Sequence, residues 1–254
     1  MLHSYPIVLC GPEGLNIELY REILGEIRWE SFATEHFSSI ENYSRLLLNP
    51  HFHERFREHQ FMLLYQTDAF IFRDELNKWC DTDYDYMGAP FLKNDAKDTH
   101  NLQNWVGGNG GFSLRRIDAC LDILTRCRRH RMKSTSELWT EYRRTKGLLS
   151  PRALLGFLVR SLGVNNTLGH LIDHYPWNED AFWSMEAPKT GCFRVPSPEE
   201  SAQLSLETHP RFWIEQLEGH LPMGCHAWWR YDLEFWKTHL QEAGYDINGK
   251  VSLS

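Results

Sequence analysis

Four short segments of this 254-residue chain hold residue types whose spacing could do chemistry. Gln66-Thr67-Asp68 follows directly on the apolar run Phe61-Met62-Leu63-Leu64-Tyr65. A carboxylate at the end of a central strand stands where open α/β sheets bind ligands, and hard oxygen donors suit Mg²⁺ or Mn²⁺. Asp68 is therefore a candidate metal ligand, although a strand-terminal Asp also serves as a helix cap or turn former. Gly107-Gly108-Asn109-Gly110-Gly111 places four glycines in five positions, which permits positive φ and close approach of backbone to a ligand. Its N–H groups could hold phosphate or sugar hydroxyls; the other reading is a tight turn between strands. It is neither a P-loop nor a G-x-G-x-x-G turn.

Asn178-Glu179-Asp180 joins an expected N-cap to two acids in a first helical turn. Acids there offset the helix dipole, or one of them serves as general base for an acceptor hydroxyl. Pro222-Met223-Gly224-Cys225-His226 places a histidine after a turn, without metal-cluster spacing. A Gly-x-Ser-x-Gly elbow and a His-Glu-x-x-His helix are both missing, which argues against a serine hydrolase and a zinc protease.

The elements that must position these residues alternate. Pro6 to Cys10 reads as a strand, Gly11 to Gly14 as a turn, and Ile17 to Ile27 as a helix by its apolar spacing. A helix around Tyr43 to Leu48 stops at Asn49-Pro50. The run Phe61 to Tyr65 suits a strand buried on both faces. Asp74 to Cys80 reads as a helix, Tyr84 to Ala89 as a strand, residues 92–105 as a mobile loop, and Phe112 to Leu114 as a strand. From Arg116 to Leu162 the pattern is helical, with Pro151 at a helix start; Glu179 to Glu186 and Asp232 to Ala243 are further helices. Strands alternating with helices predict an α/β fold with a mainly parallel sheet.

Composition bounds the rest. Aromatics at 13% are enough to line a sugar site or simply to fill a core. Six cysteines with no C-x-x-C pair predict free thiols rather than a disulfide framework. With no signal peptide and no apolar run near the roughly 20 residues of a spanning helix, a cytoplasmic protein is expected. Net charge is −7, yet residues 115–160 hold twelve Lys/Arg against four Asp/Glu, a local +8 beside −15 elsewhere. Such a belt could face anionic lipid or a phosphorylated acceptor, or be a set of solvated helix faces. A pI near 6 without a recognition motif argues against nucleic acid.

Taken in order, Ser38-Ser39-Ile40-Glu41-Asn42-Tyr43-Ser44-Arg45-Leu46, Tyr65-Gln66-Thr67-Asp68-Ala69-Phe70-Ile71-Phe72, Tyr84-Asp85-Tyr86-Met87-Gly88-Ala89-Pro90, Gly108-Asn109-Gly110-Gly111-Phe112-Ser113-Leu114-Arg115, Asn178-Glu179-Asp180-Ala181-Phe182-Trp183 and Pro222 to His226 resemble a poorly characterised family of glycosyltransferase-like proteins. Such proteins occur among cell-surface polysaccharide genes. That family is in turn similar to A-type glycosyltransferases, in which an Asp-x-Asp after a central strand holds metal and nucleotide. Here Gln66 replaces the first acid, so that role falls on Asp68.

The resemblance implies one A-type domain over residues 1–254, with a mainly parallel twisted sheet flanked by helices; the residue pattern adds a helical basic segment at 115–164. It implies a divalent ion, Mn²⁺ or Mg²⁺, held by Asp68 and His226, and an inverting transfer with Asp180 or Glu179 as base. Donor and acceptor would be bound by Gln66, Thr67, Asp68, Asp85, Gly108, Asn109, Gly110, Gly111, Ser113 and Arg115. The donor would be a nucleotide-sugar, a UDP-sugar foremost, and the acceptor a saccharide or a lipid-linked group. Peripheral contact with the inner face of the membrane is expected from the charge of residues 115–160, not from the resemblance. Family members begin with an additional strand and helix before the segment resembling Tyr5 to Leu15, so this chain is expected to be shortened or to complete its nucleotide site differently. The competing readings are a non-catalytic carbohydrate-binding or scaffold protein on a degenerate transferase fold, and a nucleotidyltransferase. The latter wants cations in a glycine-rich loop near the N-terminus, and Gly11 to Gly14 has none.

Overall fold

The structure, a computed structural model, describes residues 2, 4–93, 97–144 and 150–244. Val8–Pro12 (β1), Glu18–Leu24 (α1) and Arg28–Phe32 (β2) form a strand–helix–strand unit whose two strands are parallel, as the alternation predicts. The first strand runs two residues later than its apolar run, because Gly11 and Pro12 still pair with Ser31 and Phe32. Ile40–Leu47 (α2) starts at Ser39, whose Oγ accepts the Asn42 N–H. Pro50–Glu54 (α3) follows, with Asn49 as its cap. Phe61–Tyr65 (β3) occupies the expected residues but is only half buried, with Tyr65 exposed. It lies at the edge of its sheet and so has no strand beyond it.

Ala69–Ile71 (β4), Leu76–Cys80 (α4), Tyr86–Gly88 (β5), Pro90–Leu92 (β6), Trp105–Gly107 (β7) and Phe112–Arg116 (β8) come next. The helical basic segment comprises Ile117–Thr125 (α5), Thr135–Arg144 (α6) and Pro151–Ser161 (α7), the last opening at Pro151 behind the Ser150 cap. Residues 145–149 of that segment, and 94–96 of the polar stretch, lie outside the described residues. Leu168–Asp173 (α8) precedes Glu179–Ala181 (α9), which runs into a π-helical turn, Phe182–Glu186. Pro198–Leu204 (α10), Ser205–Leu206 (β9), Pro210–Gln216 (α11), Gly224–His226 (β10), Trp228–Tyr231 (α12) and Leu233–Glu242 (α13) complete the chain.

The fold is mixed α/β, but the strands do not make one mainly parallel sheet. Among the described residues they form β1–β2, β3–β8–β5, β4–β10–β9 and β6–β7. Only β1–β2 and β10–β9 pair parallel; the other four pairings are antiparallel. Parallel neighbours need a crossover of a dozen or more residues, usually a helix. From β5 to β8 no α-helix intervenes among the described residues, and β6–β7 and β5–β8 pair antiparallel. Apolar runs show where strands lie but carry no direction.

Strand β8 divides the core. Phe112 and Leu114 pack with Met87, Trp79 and Met223 on one face, while Ser113 and Arg115 point to the other, as period-2 alternation requires. Beyond that second face lie Tyr86, Phe182, Trp183 and Phe193. Trp105, Trp183, Trp213 and Trp236 are all fully buried and fill the core, while Tyr65, Trp139, Trp177, Trp229 and Tyr231 are exposed. The described cysteines are free thiols, and no described helix is long and apolar enough to cross a membrane. Leu114→Ala should cost about 2–5 kcal/mol of stability, because central packing cannot collapse into the void. Leu19→Ala on exposed α1 should stay within about 0.5 kcal/mol. Urea unfolding of the two variants checks the contrast.

Candidate functional site

Strand register brings the chemistry-bearing residues to the seam of the two three-stranded sheets. In the first sheet Tyr65 pairs with Phe112, so Gln66 lies level with Gly111 and donates its N–H to the Gly111 carbonyl at 3.0 Å. Gln66-Thr67-Asp68 then turns the chain from β3 into β4, closed by Ala69 N–H on Gln66 O at 2.9 Å. In the second sheet His226 pairs with Ala69 and Cys225 with Leu206. Asp68, His226 and Glu207 therefore occupy adjacent chain ends across β4, β10 and β9. His226 closes β10 and is held by its ladder.

His226 Nε2 lies 3.0 Å from Gln66 Oε1 and 3.2 Å from Asp68 Oδ1, and Nδ1 lies 3.5 Å from Glu207 Oε1. Burial opposes charge on the imidazole, but the neighbouring carboxylates of Glu207 and then Asp68 outweigh it and hold the His226 pKa above its ordinary value. Adjacent ligands of one cation bound at about 2.1 Å stand about 3 Å apart, which is the spacing of these donors. A carboxylate on the far ring nitrogen is the usual way a metal-binding histidine is oriented. Among the described residues no group of three or more His, Cys, Asp or Glu side chains could hold a metal. Asp68 and His226 thus make a two-residue contact, and any cation there would need further oxygens from a ligand.

The glycine segment joins this pair to the acidic pair. A Cβ at Gly111 would meet the His226 ring at 2.1 Å, and at Gly108, where φ is +130°, it would meet Ser184 Oγ at 2.2 Å. Side chains press on the turn from both sides, and this is why it is glycine. Its N–H groups do not form a phosphate cradle. Those of Gly108 and Asn109 go to Ala89 O, that of Gly110 to Asp180 Oδ2 at 3.3 Å, and that of Gly111 to Asn109 Oδ1 at 3.0 Å.

Glu179 and Asp180 are adjacent in sequence but differ in environment. Glu179 is buried and accepts a 2.8 Å hydrogen bond from Nη2 of Arg115, itself 0% exposed. Arg115 also donates from Nε to Ser113 Oγ, which donates in turn to Gly110 O. Its charge, after burial, pushes the neighbouring His53 down to about 3 and keeps that ring neutral. Asp180 has no such cation. It accepts the N–H groups of Ala181 and Gly110, yet burial, and then the charge of Glu179, raise its pKa from 3.8 to about 7. Asn178 stands at the N-cap position without a side-chain cap bond.

The structure thus brings together Gln66, Asp68, Gly108 to Gly111, Glu179, Asp180 and His226. Thr67 is exposed on the turn between the sheets. Three of the expected ligand-binding residues have other partners in the structure. Arg115 and Ser113 are sealed beneath the turn, fully buried, and position it. Asp85 accepts from the Arg194 N–H at 2.8 Å and pairs with Arg116 at 3.2 Å, so it ties β5 to a neighbouring loop. Glu207 went unseen in the sequence because its strand, Ser205–Leu206, is too short for any pattern; an acid closing a strand, as at Asp68, was its one signal. A cavity lined by Arg57, His59, Ile117, Asp118, Leu121, Asp122 and Arg126 lies beyond the opposite end of the β3–β8 pair.

A family model described as "Protein of unknown function (DUF5672)" matches residues 26–226, a span that contains the whole cluster and ends on His226. No curated protein and no solved structure matches the chain.

The Arg115–Glu179 pair sets two stability tests. Glu179→Gln should cost about 3–5 kcal/mol by leaving a buried guanidinium unpaired, whereas Arg115→Met with Glu179→Met should cost much less; urea unfolding separates the two. Asp180 gives the pH test. The folded chain keeps its proton up to about pH 7 and the unfolded chain releases it near 3.8. The stability Asp180 contributes is therefore complete below pH 4 and lost as pH rises to 7. From pH 4 to 8 Asp180→Asn should gain on the wild type by up to about 4 kcal/mol, at 1.36 per pH unit. A constant gap between the two proteins across that range would show that Asp180 titrates normally.

Proposed function

We propose that this chain, which belongs to the DUF5672 family of proteins of unknown function, is an inverting, divalent-metal-dependent glycosyltransferase acting on a nucleotide-sugar donor. One observation carries the reading: a carboxylate with a pKa raised to about 7, Asp180, stands one glycine peptide away from the Asp68–His226 pair. A base tuned near neutrality beside a carboxylate–imidazole pair suits transfer to a hydroxyl. The A-type architecture belongs to the same proposal, supported by the parallel strand–helix–strand unit and by Asp68 at a strand end.

In the reaction Asp180 takes the proton of an acceptor hydroxyl. The hydroxyl oxygen bonds to the anomeric carbon of the sugar, and the bond from that carbon to the donor's diphosphate breaks as the nucleoside diphosphate leaves. Mn²⁺ or Mg²⁺, when bound by Asp68 and His226, supplies positive charge to the diphosphate. Glu207 keeps the His226 ring in place. Asp180 rather than Glu179 is the proposed base, since Glu179 is buried with Oε1 on Arg115 and Oε2 facing the Ser44 hydroxyl; its charge raises the Asp180 pKa instead. A UDP-sugar is the proposed donor and a saccharide or lipid-linked group the acceptor.

A second reading, a non-catalytic carbohydrate-binding protein, draws on the internally satisfied N–H groups of Gly108 to Gly111 and on Gln66 in place of an acid. Calorimetric titration with nucleoside diphosphates, with and without Mn²⁺, and a turnover assay with the cognate sugar nucleotide separate the two. Asp68→Asn should lose Mn²⁺-dependent nucleotide affinity. Asp180→Asn should keep that affinity and lose roughly 10²–10⁴-fold in turnover. Wild-type turnover should fall as pH drops below about 7, where Asp180 takes up its proton. Full turnover in Asp180→Asn would remove the base, and carbohydrate binding without any turnover would favour the second reading.

A further inference from the structure

Helix α7 shows the solvent the wrong face. Leu154, Leu155, Leu158 and, just past its end, Leu162 fall within an arc of about 100° at the helical repeat. They are 43%, 61%, 49% and 78% exposed, and no residue of α7 is buried. The helix is attached by its other side. Phe157 packs against Trp139 and Tyr142 of α6, with ring centroids 5.3 and 5.8 Å away, and Arg160 pairs with Glu141 at 3.1 Å. An amphipathic helix normally turns its apolar stripe to the core; here the stripe is left over after the fold has made its contacts.

The charge around the stripe is of one sign. Residues 142–172 contain five Lys/Arg and no Asp or Glu. The densest cationic run, Arg126 to Lys133, is partly neutralised: Arg126 pairs with Asp122, Arg128 with Asp173 and Lys133 with Glu141. Arg129, Arg131, Arg143, Arg144 and Arg152 are exposed and have no ion-pair partner among the described residues. Arg131 lies at the end of the stripe, its Nε 3.8 Å from the Cβ position of Gly163, and Arg152 lies in its first turn.

We propose that the exposed face of α7 is a membrane-association surface for anionic phospholipid. The four leucines enter the headgroup–acyl boundary while Arg131, Arg152 and the arginines at the end of α6 meet lipid phosphates. A second copy of the chain fits less well. Two such faces brought together would oppose arginines to arginines, with no acid in residues 142–172 to compensate. A soluble polyanion would satisfy the arginines and leave the leucines in water. The surface is independent of the proposed reaction and can be tested without it.

The full chain is sedimented with vesicles of phosphatidylcholine, alone or with about one-third phosphatidylserine, at low and high salt. Binding should be at least about tenfold stronger to the anionic vesicles at low salt and decline as salt rises. Leu155→Glu with Leu158→Glu should abolish it without moving the thermal midpoint, because both side chains are exposed. Arg131→Ala with Arg152→Ala should weaken it several-fold and flatten its salt dependence. No binding, equal binding to both vesicle types, or unchanged binding by the leucine double variant would overturn the proposal. A dimer in light scattering that the leucine double variant converts to monomer, without vesicle binding by the wild type, would assign the face to a second copy.

Discussion

Arg115 and Glu179 meet at 2.8 Å where neither has appreciable access to water. Neither charge would be tolerable there alone, so β8, which carries Arg115, and α9, which carries Glu179, are coupled. Ser113 extends the contact to the carbonyl of Gly110 and Tyr86 lies under the guanidinium, so the glycine turn rests on this pair. Because Arg115 is used by Glu179, the next residue has a carboxylate with no cation of its own. The raised pKa of Asp180 is thus a consequence of how its neighbour is satisfied.

The glycine turn shows how a motif can be recognised for one property and built for another. Four glycines suggested exposed N–H groups awaiting an anion. In the structure those N–H groups are already bonded, and the missing side chains make room for the His226 ring, Ser184 and the oxygens of Glu179. The turn acts as a thin partition. It lets the His226–Asp68 pair and Asp180 approach from opposite sides of a single peptide, and any side chain at Gly110 or Gly111 would force them apart.

Charge is distributed by the same rule of local satisfaction. In the site, buried acids are matched by Arg115 and His226, and Asp180 is left with a raised proton affinity. On the surface, acids of α5, α6 and α8 neutralise part of the basic segment, while the acid-free stretch after Glu141 leaves its arginines beside exposed leucines. Both places are unsatisfied in the isolated chain, one electrostatically and one by hydration.

The sequence alone determined which residues make elements and which types can do chemistry. The apolar run Phe61–Tyr65, the cap and proline at Ser150-Pro151, and Asp232 before the last helix are local signals, set by periodicity and by backbone groups within a few positions. It also marked Asp68, the glycine segment, Glu179-Asp180 and His226 as one set, through the order of motifs. The tertiary structure alone decided strand direction, since side-chain alternation is the same in parallel and antiparallel ladders. It decided that Arg115 and Ser113 lie beneath the site and not in it, because burial depends on which helix covers a strand face. It brought in Glu207 through a two-residue strand that no pattern could announce. It gave Glu179 and Asp180 different surroundings, which adjacent positions in a sequence cannot do, because a carboxylate's proton affinity depends on which cation lies within reach and how much water is shut out, and both are fixed only when β8, α9 and the glycine turn meet.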